Sequence, residues 1–288
     1  MKYEVKPCVE NDADFIWEKD AAEGRSIVPV QAGEEEKLVF AAVDAAGALI
    51  GGCVLDIDLL KNAEFERLWV DEPYRRRGIG SALIREAERA ARERGCRVIL
   101  NAYNFDFQQA RPLFEKHGYR LIGVARDWPR GHECYRLLKR LDDPAKEVFS
   151  LGAAPAEIRP GREEEGAFIA GRLEAYNNAI APRSHPYLDL DKKLVDDGGN
   201  IIAGCIAGVS GWNAAHIDLI WVAEAYRDQG LDAYLLGEIE REARENGAYL
   251  ARTTAPTDLQ AAFFKRHGYT ANGESGERQL GYDMQKRL

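Results

Sequence analysis

The chain has 288 residues, a length typical of two ordinary domains, and 45% of them are hydrophobic and 30% charged. This composition excludes a disordered chain and supplies enough apolar residues for a core in each half. The formal net charge of −9 argues against general nucleic-acid binding, which needs a basic surface, and is compatible with a cationic substrate.

The first half opens with strand signals. Two β-rich runs, 38–43 and 49–55, flank the turn-forming sequence DAAG at 44–47, which predicts a β-hairpin. A third strand is predicted over 63–70. Strict alternation along this strand predicts one face made of Glu64, Glu66, Leu68 and Val70.

The rest of the first half mixes helices and strands. Apolar residues at helical spacing predict a helix that begins near Ile79 and stops at Gly95. A buried strand follows over 97–100, then a helix over 108–116 that ends before Gly118. A last strand spans 134–138. The mixture predicts an α+β fold, with a mixed and mostly antiparallel sheet flanked by helices.

The second half repeats the first at a spacing of about 150 residues. Matching positions keep the same order, and they include Phe15-Ile16 with Phe168-Ile169, Gly78 with Gly230, Gly118-Tyr119 with Gly268-Tyr269, and Tyr135 with Tyr282. A period this long is a whole domain, so the pattern indicates a duplication. We expect domains at 1–143 and 156–288, joined by a linker at 144–155 that begins with a proline and ends with the sequence GAAP.

The sequence RRRGIGS at 75–81 lies between a strand and the start of a helix. Consecutive backbone N–H groups at such a junction can surround an anion, and the helix N-terminus adds favourable potential. No Gly-Lys-Ser/Thr follows, so this is not a Walker loop. Leu83 stands where a dinucleotide fingerprint needs its third glycine.

At these residues the sequence resembles the Gcn5-related N-acetyltransferase (GNAT) superfamily, whose pyrophosphate loop is Gln/Arg-x-x-Gly-x-Gly/Ala. The preceding strand and turn at 68–74 and the run from Ala110 to Tyr119 resemble two further signatures of that family, in the same order. The resemblance implies two tandem GNAT-like domains and acetyl-CoA as the acetyl donor. It implies donor contacts at Leu68, Val70, Arg75, Arg76, Arg77, Gly78, Ile79, Gly80, Ser81 and Phe114.

The resemblance also implies direct attack by a primary amine on the thioester. Val70 N–H would polarise the thioester carbonyl. An amine attacks only when neutral, and Glu66, then Glu64, are the candidate bases, acting directly or through water. Two nearby carboxylates are expected to raise at least one pKa, although an ion pair with Arg67 or Arg97 is the alternative. Phe114 stands where the family places a tyrosine that acts as general acid, so the thiolate is expected to leave largely unaided. Tyr103, just after the strand predicted at 97–100, is the alternative hydroxyl, and packing is its other interpretation.

The second half departs from the pattern in its loop, RDQGLD at 227–232. Asp232 replaces the second glycine and would repel pyrophosphate, while Asp228 and Gln229 replace two arginines. His216 and Asp218 occupy the strand positions of Glu64 and Glu66. We therefore expect the N-terminal domain to bind acetyl-CoA and the C-terminal domain to be structural or to shape the substrate site.

The rival hypothesis is a non-catalytic CoA-binding or interaction module. The sequence leaves open the acceptor, which could be a small metabolite, an aminoglycoside-like antibiotic, a polyamine or a protein N-terminus. It also leaves the oligomeric state open, a homodimer included. The five cysteines form no Cys-x-x-Cys pair, no apolar run reaches the ~20 residues of a membrane span, and the N-terminus lacks a signal-peptide pattern. We expect a cytoplasmic protein without a bound metal.

Overall fold

The computed structural model describes residues 4–9, 11–23, 36–58, 61–142, 156–273 and 281–288. Two compact units form. Within the described residues, unit A combines Gly33–Val124 with His132–Pro182. Unit B combines Met1–Ala32, Ala125–Gly131 and Arg183–Leu288. The predicted linker at 144–155 lies outside the described residues.

The first sequence repeat contains seven strands and three α-helices in its described part. In chain order these are β1 (Glu4–Pro7), α1 (Asp12–Glu23), β2 (Glu36–Val43), β3 (Leu49–Ile57), β4 (Asn62–Val70), α2 (Ile79–Glu93), β5 (Val98–Phe105), α3 (Arg111–Lys116), β6 (Arg120–Arg126) and β7 (Glu133–Arg140).

The second repeat follows with the same alternation and one additional short strand. Its elements are β8 (Glu157–Pro160), α4 (Glu163–Ile180), β9 (Leu188–Asp189), β10 (Lys192–Val195), β11 (Ile201–Val209), β12 (Ala214–Val222), α5 (Leu231–Glu245), β13 (Leu250–Ala255), α6 (Asp258–Arg266), β14 (Thr270–Ala271) and β15 (Tyr282–Arg287).

Each unit is built on one mixed sheet, as the α+β prediction required. The sheet of unit A has the order β6-β7-β5-β4-β3-β2-β8, and only β4 and β5 are parallel among its registered pairs. The sheet of unit B has the order β1-β10-β11-β12-β13-β15-β14, with β9 also on β11. Its β12 and β13 are parallel. In both units the main core lies between the sheet and the long helix, α2 or α5.

The two sequence repeats exchange their first strand and helix. Strand β8 of the second repeat pairs antiparallel with β2 of the first, and β1 of the first repeat pairs with β10 of the second. The compact units therefore do not follow the domain boundaries expected at 143 and 156. The physical reason is that β2 and β10 each need a backbone partner at the sheet edge, and the similar strands β1 and β8 can each supply it.

An isoleucine anchors each exchanged helix over a glycine. Ile169 on α4 lies against Gly52 of β3, where an added Cβ would overlap its Cδ1 atom. Ile16 on α1 lies against Gly204 of β11 in the same way. Both isoleucines are fully buried. The glycines thus provide the sockets that allow α4 and α1 to approach the sheets.

Most predicted elements of the first half are confirmed, with one correction. The hairpin turn closes through a hydrogen bond from Gly47 N–H to the carbonyl of Asp44. The helix predicted over 108–116 is wrong in its first half. Gln109 has a φ of 55°, which interrupts the helix, so a 3₁₀ turn at Asp106–Gln108 is followed by the short α3.

We expect Ile169→Ala to lower the free energy of unfolding by about 2–4 kcal/mol, because it removes a fully buried side chain and leaves a cavity over Gly52. Urea unfolding followed by circular dichroism measures the change. The neighbouring Phe168 is exposed, so Phe168→Ala serves as the control and should change stability by less than about 0.5 kcal/mol. Equal losses of stability in the two variants would contradict the role of Gly52 as a socket for Ile169.

Candidate functional site

The RRRGIGS loop of unit A leads directly into α2. Arg75 is extended, Arg76 has a φ of 63° and Gly78 has a φ of 90°, after which the helix begins at Ile79. The first N–H groups of any helix have no acceptor within the helix. Arg76 and Arg77 are both exposed. The loop therefore combines exposed positive charge with free helix N–H groups, which is the chemistry of a phosphate site.

The two glycines of the loop are needed for different structural reasons. Gly78 adopts a left-handed conformation that other residues rarely accept. At Gly80, an added Cβ would fall 3.0 Å from Cδ2 of Leu113 on α3. Gly80 thus allows α3 to pack against the first turn of α2.

Strands β4 and β5 diverge next to this loop. Their registered pairing runs from Asn62 with Val98 to Glu64 with Leu100. Asp71 N–H donates to the carbonyl of Ile50 on β3 at 2.9 Å. Because N–H groups alternate between the two edges of a strand, those of Val70 and Leu68 point to the opposite edge, toward the divergence. This direction is the one that the expected thioester contact requires.

A β-bulge at Glu66 corrects the predicted faces of β4. Arg67 pairs with Val54 and Phe65 with Leu55, so Glu66 is an extra residue. As a result, Phe65, Leu68 and Val70 share the face that packs on the α2 core. Glu64 lies on the other face, together with Arg67 and Trp69. Strict alternation, which grouped Leu68 and Val70 with Glu64, is therefore wrong at this point.

Glu66 forms ion pairs with two cations. Its Oε2 accepts from Lys37 Nζ at 2.8 Å, and its Oε1 lies 3.1 Å from Arg67 Nη2. Burial favours the neutral acid, but the hydrogen bond from Lys37 and the charge of Arg67 outweigh it and lower the pKa of Glu66. The expected rise in pKa is thus contradicted for Glu66, because Lys37 and Arg67 neutralise its carboxylate.

Lys37 was not visible as a site residue in the sequence. It pairs across β2 and β3 with Asp56, which in turn pairs with Glu64 on β4. This row places Lys37, Asp56 and Glu64 on one face of three adjacent strands, beside the bulge. Lys37 Nζ also lies 3.7 Å from Asp56 Oδ1. In the sequence, Lys37 and Asp56 are marked only by lying near the ends of two otherwise largely apolar strands.

Phe114 belongs to the core of unit A. Its side chain is 0% exposed and makes edge-to-face contacts with Phe65 and Tyr119, at ring distances of 5.3 and 5.0 Å. It has no surface for the expected donor contact, so the structure corrects that part of the prediction. The side chain of Tyr103, the alternative hydroxyl, lies outside the described residues.

Helix α4 of the second repeat forms a wall beside the divergence of β4 and β5. Tyr176 packs on Trp69 with ring centroids 5.6 Å apart. Its hydroxyl donates to the carbonyl of Phe107, which follows β5, at 2.9 Å. Arg172 bonds to Asp71, which follows β4, at 2.8 Å. The helix therefore contacts both sides of the divergence, and these residues were missed because they lie in the other repeat.

The corresponding loop of unit B has almost the same backbone. Asp228 has a φ of 62° and Gly230 a φ of 75°, and Arg227 Nε donates to the carbonyl of Val222 at 3.1 Å, as Arg75 does to Val70 at 2.8 Å. The charge differs: three arginines in one loop correspond to one arginine and two aspartates in the other. The side chain of Asp232 accepts from Ala233 N–H in the first turn of α5.

Unit B carries a different acid at its bulge. Ile217 and Leu219 pair with consecutive residues of β11, so Asp218 is the extra residue and corresponds to Glu66. Burial, together with the charge of Asp191, raises the pKa of Asp218 to about 6. His216 corresponds to Glu64; burial and the nearby Arg252 lower its pKa to about 3, so it is neutral near pH 7.

None of the helices in the described residues is long and apolar enough to cross a membrane. No group of three or more His, Cys, Asp or Glu side chains in the same part of the chain is arranged to hold a metal ion.

Comparison with known proteins identifies the family. The model of the acetyltransferase (GNAT) family matches residues 9–119 and again 154–269, so this chain belongs to that family and contains its domain twice. The tandem arrangement predicted from the sequence repeat is confirmed.

Relatives include blasticidin-S acetyltransferase of Streptomyces morookaense, which is 37% identical over 102 residues, or 34% of this chain and 68% of that protein. An acetyltransferase of Agrobacterium fabrum is 32% identical over 120 residues, covering 40% and 83%. A crystal structure of an acetyltransferase from Bacillus cereus shares 30% identity with a TM-score of 0.41, covering 46% of this chain and 97% of its own.

We expect Lys37→Met to raise the pKa of Glu66, because it removes the hydrogen bond and the charge that favour the carboxylate. NMR titration of the Glu66 carboxyl carbon measures this. In the wild type, the ion pair stabilises the fold above the unfolded pKa of glutamate, and this stability is lost as the pH falls through the lowered pKa. Lys193→Met, which removes the partner of Asp12 in unit B, should leave the pKa of Glu66 unchanged.

Proposed function

We propose that unit A is an N-acetyltransferase that moves an acetyl group from acetyl-CoA to a primary amine. The observation that carries the proposal is the Arg75–Ser81 loop, with its three arginines at the N-terminus of α2, beside the divergence of β4 and β5. Arg76, Arg77 and the N–H groups of Ile79, Gly80 and Ser81 would bind the pyrophosphate. Membership of the GNAT family supports acetyl-CoA as the donor.

The divergence of the strands would receive the pantetheine arm. There the N–H of Leu68 would bind the arm, and that of Val70 would hold the thioester carbonyl and stabilise the oxyanion that forms when the amine attacks. The attacking nitrogen must first lose a proton, and Glu66 or Glu64 would accept it directly or through water. The attack then forms the amide and releases the CoA thiolate, which needs little help from an acid because a thiol has a pKa near 8.5.

The ion pair of Glu66 has a consequence for the acceptor. Lys37 already places an ammonium group against Glu66, so an acceptor arriving as an ammonium ion would compete with Lys37 for the same carboxylate. This competition disfavours a second ammonium group at Glu66, whereas the net charge of the chain favours a cationic acceptor. The name of the Streptomyces relative suggests blasticidin S as the first acceptor to test.

Unit B would serve a structural or substrate-shaping role in this proposal. Its loop keeps the backbone conformation but carries Asp228 and Asp232 where unit A has Arg76 and Gly80. A carboxylate about 4 Å from a phosphate costs roughly 4 kcal/mol at the effective dielectric constant of a protein surface. The rival function, a non-catalytic CoA-binding module, shares the donor site and differs only in releasing no thiol.

We expect calorimetric titration with acetyl-CoA to show one site per chain, and Gly80→Asp to weaken that site by at least about 100-fold, because it installs the charge of Asp232 in unit A. Gly171→Asp on α4 controls for the added charge, since its position is exposed and open, and Gly80→Ala controls for the Cβ beside Leu113 without adding charge. Two sites would show that unit B also binds the donor. Absence of binding to the wild type would exclude the proposal.

The catalytic step is tested by release of free thiol from acetyl-CoA with a panel of amines that includes blasticidin S. If Glu66 is the base, Glu66→Gln should lower kcat by about 100-fold or more. The acidic limb of kcat/KM should then lie below the ordinary pKa of a glutamate, because the pKa of Glu66 is lowered. A limb near pH 6–7 would point to another base. Donor binding without thiol release for any amine would favour the rival module.

A further inference from the structure

We propose that Tyr176, on α4 of the second repeat, is a positioning residue for the donor loop of unit A and acts through Arg75. The second repeat would thereby tune acetyl-CoA binding by the first, although its own loop carries two aspartates. This inference rests on the donor site proposed above, and it adds a residue that lies outside the repeat that contains that site.

Arg75 is the first residue of the loop, and its side chain is held by three contacts. Its Nε donates to the carbonyl of Val70 at 2.8 Å, which ties the loop to the last residue of β4. Its guanidinium carbon lies 4.6 Å from the ring centre of Trp69 and 5.5 Å from that of Tyr176. Two aromatic rings therefore hold this cation, and each contributes a cation–π attraction. The side chain is fixed before any donor arrives.

Tyr176 is itself held at its far end. Its hydroxyl donates to the Phe107 carbonyl at 2.9 Å, and on the next residue of the helix Asn177 Oδ1 accepts from Gln108 Nε2 at 3.0 Å. Phe107 and Gln108 follow β5. The ring of Tyr176 thus connects the end of β5 to Arg75, which is bonded to the end of β4. These two strand ends border the opening in which the pantetheine arm is proposed to lie.

The opposite ring, Trp69, is fixed by the same helix. Trp69 Nε1 donates to Asp71 Oδ1 at 2.8 Å, and Arg172 Nη2 donates to the same oxygen at 2.8 Å. Helix α4 therefore positions both rings that hold Arg75. It carries Tyr176 itself, and its Arg172 shares Asp71 with Trp69. In unit B the equivalent Trp221 is buried and packs edge-to-face on Phe15.

The test is a double-mutant cycle on the full chain, with the dissociation constant for acetyl-CoA measured by calorimetry. Tyr176→Leu removes the ring and should weaken binding about fivefold. Tyr176→Phe loses the hydrogen bond to Phe107 but keeps the ring beside Arg75, so it should weaken binding by no more than about twofold. Arg75→Leu should also weaken binding. Because Tyr176 acts through Arg75, adding Tyr176→Leu to Arg75→Leu should cause less than about a twofold further change.

The outcomes separate this inference from the proposed function. If Tyr176→Leu binds acetyl-CoA as tightly as the wild type, the inference is overturned. It is also overturned if the two losses of affinity add fully in the double variant. In both cases the proposed donor site stands. A wild type that binds no acetyl-CoA overturns both. Thermal unfolding checks that each variant is folded, and Tyr176→Met replaces Tyr176→Leu if the latter unfolds. Tyr234→Leu, at an exposed tyrosine of α5 in unit B, should not change the affinity.

Discussion

Both sheets depend on a side chain of the other sequence repeat seated over a glycine. At Gly52 and Gly204 a Cβ atom would occupy the space of Ile169 and Ile16, so the strands and the exchanged helices fit each other as matched surfaces. The exchanged strands β8 and β1 also give β2 and β10 their backbone partners at the sheet edge. Because α4 is held in this position, its polar residues reach the two ends of the diverging strands in unit A.

The two units share a backbone and differ in electrostatics. The loops have nearly the same torsion angles, but only that of unit A carries three arginines. The acids at the two bulges also differ in pKa. Cations lower the pKa of Glu66 in unit A, whereas burial and Asp191 raise the pKa of Asp218 in unit B to about 6. Both units therefore keep the backbone geometry of the site. The positive charge that suits phosphate lies in unit A, and the acid whose pKa is closer to neutral pH lies in unit B.

Local signals predicted the hairpin, α2 and the arginine loop, because turn residues, helical spacing and glycines act within a few residues. The duplication was predicted from the steady spacing of matching residues along the chain. The exchange could not be predicted, since β1 and β8 have similar sequences and either can complete either sheet edge. The bulge at Glu66 could not be predicted, because one extra residue does not change the residue types by which a strand is recognised. The partner of Glu66, Lys37, is 29 residues away, and only the register of two strand pairs brings it near.

The exchange also orders events during synthesis. Strand β1 and helix α1 leave the ribosome first, but the strands on which they pack, β10 and β11, are made more than 160 residues later. At about 5–20 residues per second this interval lasts roughly 10–30 s. The sheet of unit A likewise waits for β8 and α4. Neither unit can therefore finish folding while the nascent chain contains only the first repeat, and the apolar face that receives Ile169 stays exposed until the second repeat emerges.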